Sequence, residues 1–237
     1  MPLLSAPESS TVTEDVRFPA GPHLLHGELA YPEAGRAPGA LVFAGPHPLL
    51  GGNMRNNVVR SLADGLARRG LLTLRFDYRG VGRSQGPNVD VGKHMAEFWR
   101  TSHAPGEMDF WQDVQGAVEF AQETAPGLPV TLVGYSFGCA LLPRVRPREP
   151  ATLVLVAPTV AKHDFESFRA VTRPLLVVAS EDDFATDAQQ LEDWFGTLAM
   201  PRQLVRRRCD NHFFRGHEGW LTDTIFRFMN GGGGDDG

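Results

Sequence analysis

The sequence predicts an α/β fold: one mostly parallel, doubly wound sheet with helices on both faces, entered through an N-terminal antiparallel hairpin. Three observations predict it. Short, mostly apolar runs recur at Ala40–Ala44, Leu71–Phe76, Val130–Val133, Thr152–Val156 and Leu175–Ala179, the pattern of strands buried on both faces. Segments of helical period separate most of them. Two alternating segments, Thr13–Phe18 and Leu24–Tyr31, flank Pro19-Ala-Gly-Pro22, a hairpin signal.

Taken in order, residues 1–12 are polar and proline-containing and are expected to form a flexible tail. After the hairpin, Pro32–Gly39 is a turn and Ala40–Ala44 a central strand ending in the rigid loop Gly45-Pro-His47-Pro-Leu49-Leu-Gly-Gly52. Apolar positions 58, 59, 62, 66 and 67 mark an amphipathic helix over Asn56–Arg69, closed by Gly70. Leu71–Phe76 is the next buried strand. Residues 87–108 are less regular, with a short helix expected over Lys93–Thr101 and a break at Pro105-Gly106. A helix is expected over Phe110–Thr124, then the strand from Val130. Strands at Thr152–Val156, Leu175–Ala179 and Arg202–Arg208 and helices at Ala188–Leu198 and Trp220–Met229 complete the alternation. The expected organisation is a single domain over 13–229, with 87–108 a small lid segment or a helix packed on the sheet edge, and a second flexible tail at 230–237.

Composition narrows the function. A chain of 237 residues with 42% apolar content can bury one sizeable core. Lys plus Arg number 23 against 28 Asp plus Glu, and Arg206-Arg-Arg208 is the longest basic run, so no nucleic-acid partner is expected. The two cysteines, Cys139 and Cys209, make no metal-binding or disulfide pattern. No stretch reaches the roughly 18–20 apolar residues of a membrane span. Met1–Ser10 lacks a basic segment followed by an apolar one, so a cytoplasmic location is the expectation.

The chemistry centres on Gly134-Tyr-Ser136-Phe-Gly138, where a buried strand runs into a helix. A turn this tight holds the serine in a strained backbone conformation, and glycine at 134 and 138 removes Cβ atoms that would collide with neighbouring backbone. The hydroxyl is raised beside a helix N-terminus, and the Phe137 N–H is placed to stabilise developing negative charge. Such a serine needs a histidine to take its proton and a carboxylate to orient the imidazole. Those groups gather at the C-terminal ends of strands. Two strand ends offer them: Glu181-Asp182-Asp183 and Asp210-Asn211-His212.

Four segments carry a family resemblance: His47-Pro-Leu-Leu-Gly-Gly-Asn-Met54, Leu74-Arg-Phe-Asp-Tyr-Arg-Gly-Val-Gly-Arg-Ser84, Gly134–Gly138 and Asp210-Asn-His-Phe-Phe-Arg-Gly216. In this order they resemble the α/β-hydrolase superfamily, and within it small, mostly bacterial serine hydrolases with a His-Pro-x-x-Gly-Gly loop. The resemblance spans about residues 13–229. It implies an acid three residues after a strand-ending small residue. Ser180 takes that place, so the implied catalytic set is Ser136, Asp183 and His212, with Asp182 as the alternative acid and Asp210 a loop-capping side chain. It implies His47 for the second oxyanion N–H, with Leu49 next; Pro46 and Pro48 have none to give. The His47 imidazole is expected either to touch substrate or to make a structural hydrogen bond.

Leu49, Phe98, Trp99 and Tyr135 are the expected substrate-pocket residues, the aromatic pairs Phe98-Trp99 and Phe110-Trp111 being able to supply an apolar wall. The loop Asp77–Ser84 has Gly80-x-Gly82 but no third glycine and no following helix, so no nucleotide site is expected. His212 and His217 stand five apart without companion ligands, His94 and His103 read as solvated, and Cys139 reads as a buried thiol. No metal or cofactor is expected. The function expected is a serine hydrolase acting on a carboxylic ester, thioester or lactone. Acyl transfer or cyclisation from the same acyl-enzyme, and ligand binding without catalysis, are the alternatives.

Overall fold

A computed structural model of the chain describes residues 9–199, 201–209 and 212–231. Most of the expected tails (1–8 and 232–237) and Asp210 lie outside the described residues. Strands β1 (Thr11–Ala20), β2 (His23–Pro32), β3 (Ala40–Ala44), β4 (Leu72–Phe76), β5 (Val130–Tyr135), β6 (Thr152–Val156), β7 (Leu175–Ser180) and β8 (Arg202–Arg207) form one sheet. Its order is β1-β2-β4-β3-β5-β6-β7-β8. β2 pairs antiparallel with β1 and with β4, and every later pair is parallel. Helices α1 (Asn57–Arg68), α2 (Val91–Thr101), α3 (Trp111–Thr124), α4 (Phe137–Leu141), α5 (Ala188–Gly196) and α6 (Glu218–Met229) follow in the connections.

The strand pleat divides the core. Leu41, Phe43, Val133, Tyr135, Val154 and Val156 point to the face covered by α1 and α6. Val42, Ala44, Leu132, Leu153 and Val177 point to the face covered by α3, α4 and α5. Both faces of the central strands are therefore dry, which is why these runs are mostly apolar rather than alternating.

The element boundaries differ from the expected ones for local reasons. β1 and β2 continue to a two-residue turn at Gly21-Pro22, where Gly21 has φ 57°, so Pro19 lies inside a strand, opposite Leu24. β1 is an edge strand, where a missing N–H on the solvent side costs no ladder bond. The expected helix from Phe110 begins at Trp111, after a 3-10 turn over Glu107–Phe110.

The segment 87–108 holds α2, capped by Asp90, which accepts from the Lys93 N–H at 3.0 Å. No residue of α2 is buried. It leans on the turn Pro48–Leu50 after β3 rather than on the sheet edge.

Candidate active site

Ser136 stands between β5 and α4 with φ 56° and ψ −120°, a conformation that a non-glycine residue holds only when its surroundings enforce it. Those surroundings are backbone. The Ser136 N–H donates to Val156 O at 2.9 Å. A Cβ at Gly134 would meet Cys139 Cα at 2.6 Å, and one at Gly138 would meet Ala44 O at 2.1 Å. Glycine at both positions lets α4 close onto β5 and onto the loop after β3.

Asp183 and His212 reach the same point from the loops after β7 and β8. His212 Nε2 lies 2.8 Å from Ser136 Oγ, and His212 Nδ1 lies 2.9 Å from both oxygens of Asp183. The side chains of His212 and Asp183 are only 5% and 4% exposed, so water competes little for these bonds. Asp183 also accepts from the Ala185 N–H at 2.7 Å, and the Tyr135 hydroxyl donates to the His212 carbonyl at 3.3 Å. Asp182, the alternative acid, turns outward toward Arg208 with about half its side chain in solvent.

The loop after β3 lies against the elbow. The His47 ring is stacked on Phe137 with centroids 4.2 Å apart. Among the described residues, no hydrogen bond is drawn from the N–H of Phe137 or of His47. The His47 imidazole makes a structural bond: Nε2 lies 2.9 Å from Glu107 Oε2, both groups being buried. Burial works to raise the Glu107 carboxyl, but bonds from His47 and the Ala104 N–H (2.8 Å) outweigh it and hold it below the usual range. His163 lies on the far side of Glu107, with Nε2 3.8 Å from Oε1, and burial pushes its imidazole down to about 4. The His47–Glu107 bond holds the loop in one position.

The Asp77–Ser84 stretch proves to be scaffolding. Asp77 Oδ1 accepts the Met54 N–H at 2.9 Å and the Asp77 carbonyl accepts the Ser84 hydroxyl at 2.6 Å. Gly82, at φ 56°, leaves room for Asp77 Oδ2, which a Cβ would approach to 2.2 Å.

Two of the expected pocket residues need correction. Tyr135 is 2% exposed and points to the opposite face of the sheet, because the pleat sends successive side chains of β5 to alternate sides. Trp99 is 80% exposed, since α2 has no layer behind it to receive a ring. Phe98 does approach the loop, edge-on to His47 at 6.0 Å, and Leu49 is buried in the core under it. Two aromatics that sequence reasoning passed over flank His212 instead. Phe184, 70% exposed, lies 5.1 Å from the imidazole and Phe213, 37% exposed, lies 5.7 Å from it. The available signal was adjacency: each directly follows a candidate catalytic residue. Glu107 was also passed over.

A doubly wound sheet with a strained serine, an imidazole and a carboxylate in line at its strand ends is the arrangement of an α/β hydrolase. The chain belongs to the Hydrolase_4 family, described as serine aminopeptidase, S33, whose model matches residues 49–176. It is similar to the solved structure of an α/β serine hydrolase homologue from Coxiella burnetii, at 27% identity and a TM-score of 0.74, covering 91% of this chain and 97% of that one. It is also similar to an α/β serine hydrolase without lid from Xanthomonas campestris, at 26% identity and a TM-score of 0.70, covering 94% of this chain and 97% of that one. An uncharacterized protein of Rickettsia prowazekii (strain Madrid E) is 27% identical over 217 residues, 87% of this chain and 82% of that one. Among the described residues no helix is long and apolar enough to cross a membrane.

Proposed function

We propose that the protein hydrolyses a carboxylic ester, thioester or lactone through an acyl-enzyme on Ser136. The observation that carries this reading is the unbroken line Asp183–His212–Ser136 at 2.9 and 2.8 Å, ending on a serine with positive φ. Ser136 Oγ attacks the carbonyl as His212 Nε2 takes its proton, and Asp183 steadies the imidazolium that forms. The tetrahedral oxygen rests on the N–H groups of Phe137 and His47. His212 then gives the proton to the leaving group and activates a water that releases the acid. Phe184 and Phe213 offer an apolar rim to the acyl part. Acyl transfer to an amine or alcohol needs a site kept dry. With α2 unburied and Trp99 in solvent, no observation favours that second reading over hydrolysis.

The test is labelling by a fluorophosphonate probe, wild type against Ser136→Ala, with a parallel panel of acyl esters, thioesters and lactones. The expected result is labelling that vanishes in the variant and turnover to free acid. Folded wild-type protein that takes no label would remove the nucleophile from Ser136.

A further inference from the structure

We propose that His47, Glu107 and His163 form a binding site for a divalent transition-metal ion of zinc type. The site stands whether or not Ser136 is a nucleophile. Three separate segments deliver the donors: the loop after β3, the turn before α3 and the loop after β6. One donor atom from each lies within 4.8 Å of the others. The three side chains are 8%, 7% and 4% exposed.

A hydrogen-bonded His47–Glu107 pair accounts for His47 Nε2 and Glu107 Oε2, leaving His47 Nδ1 without a partner among the described residues and the third group unexplained. His163 Nδ1 lies 2.9 Å from Thr159 Oγ1, while its Nε2 has no partner among the described residues. Nε2 sits 3.8 Å from Glu107 Oε1, beyond hydrogen-bond reach, so in either tautomer it is left unsatisfied. With Nδ1–H donating to Thr159, Nε2 presents a lone pair to the carboxylate, and a cation between them satisfies both.

The spacing fits such an ion. Zinc bonds of about 2.0–2.2 Å in a tetrahedral set place neighbouring donors about 3.4 Å apart. His47 Nε2 lies 2.9 Å from Glu107 Oε2 and His163 Nε2 lies 3.8 Å from the other carboxylate oxygen, Oε1, so the two imidazoles approach opposite oxygens at separations on either side of that value. Two imidazoles and one carboxylate are a donor set suited to zinc and its neighbours. Thr159 supplies the outer hydrogen bond that orients a ligating imidazole. In the bound form the His47 proton sits on Nδ1, which frees Nε2 to ligate.

An entry route is present. His103, 65% exposed, has Nδ1 3.5 Å from Glu107 Oε1 on the outer side of the cluster. It shares a cleft of about 230 Å³ with Glu107 and His163. The ion would tie the His47 loop to the two segments facing it. The His47 and His163 rings both pack on Phe137, at 4.2 and 5.2 Å, so the brace would sit directly beside the elbow.

The full chain, stripped with a chelator and titrated with Co²⁺ and then Zn²⁺, provides the test. We expect one Co²⁺ per chain with visible ligand-field bands, displacement by Zn²⁺, and a higher Tm with Zn²⁺. His163→Gln should weaken binding roughly tenfold or more, and His217→Ala, outside the cluster, should not. Anomalous diffraction from wild-type crystals grown with Zn²⁺ should place a peak among His47, Glu107 and His163, and decides the matter even if the variant fails to fold. A wild type that binds no ion, a peak elsewhere, or undiminished binding in folded His163→Gln would overturn the site.

Discussion

The carbonyl oxygen of Ala44 occupies the space beside Gly138 so closely that a Cβ there would stand 2.1 Å from it, with Gly45 O at 2.7 Å. The strand end of β3 and the first turn of α4 thus meet backbone to backbone. This contact sets how far the His47 loop lies from Ser136. Gly138→Ala must push the two apart. Such overpacking costs about 1–3 kcal/mol, and the proposed oxyanion donors separate with it. The expected outcome in denaturant unfolding and ester kinetics is lower stability and a kcat loss larger than any rise in KM. A variant with wild-type kcat would show that the contact does not govern the site.

Asp183 and Asp182 are adjacent in the chain but face opposite environments, one against His212 and the other toward solvent. Asp183→Asn removes the acceptor that fixes the imidazole tautomer, and kcat should fall roughly 10⁴-fold. Asp182→Asn loses only a partly exposed contact with Arg208 and should change kcat by less than about twofold. Equal losses in both variants would contradict the assignment of the acid.

Aromatics near the site separate by exposure and contact. Phe184→Ala and Phe213→Ala strip apolar surface beside His212, and each should raise KM for long acyl substrates up to roughly tenfold, with kcat little altered. Trp99→Ala touches neither core nor site and should shift stability by less than about 0.5 kcal/mol. Steady-state kinetics over an acyl-length series, with melting curves, check all three. A KM change confined to Trp99→Ala would place the acyl group under α2 instead.

Cys139, three residues beyond Ser136, is fully buried, and burial pushes its thiol well above the usual range. The thiolate, the reactive form, is therefore scarce at neutral pH. Iodoacetamide should leave the Cys139 peptide unmodified in native protein and modify it fully in denaturant, read by mass spectrometry. Rapid native alkylation would mean that the elbow opens.

How much of this was legible in the sequence follows from burial. Residues 130–133 and 175–179 read as strands because both their faces are covered, so every position but Thr131 is apolar. The Ser136, Asp183 and His212 arrangement was legible because each residue follows a strand, and parallel strands deliver their ends to one side. Trp99 misled because an aromatic at helical spacing normally faces a core, whereas α2 lies outside the sheet layers. Glu107 and His163 were silent for the opposite reason: their burial is made by segments far apart in the chain, and neither carries a local pattern. Phe184 and Phe213 follow no period, since loop geometry alone aims them.

One edge of the sheet ends on β8, the strand Arg202-Gln-Leu-Val-Arg-Arg207. Its arginines are committed to neighbours on the same molecule. Arg202 lies over Phe195 at 4.9 Å, Arg206 pairs with Glu192, and Arg207 lies over Trp220 at 5.3 Å. Guanidinium groups crowding a strand with no outer neighbour among the described residues oppose the approach of a second like-charged edge. The strand that leads toward His212 therefore also guards the chain against edge-to-edge aggregation. A β8 with its arginines replaced by valine would be where molecules begin to zip together, and solubility would fail there.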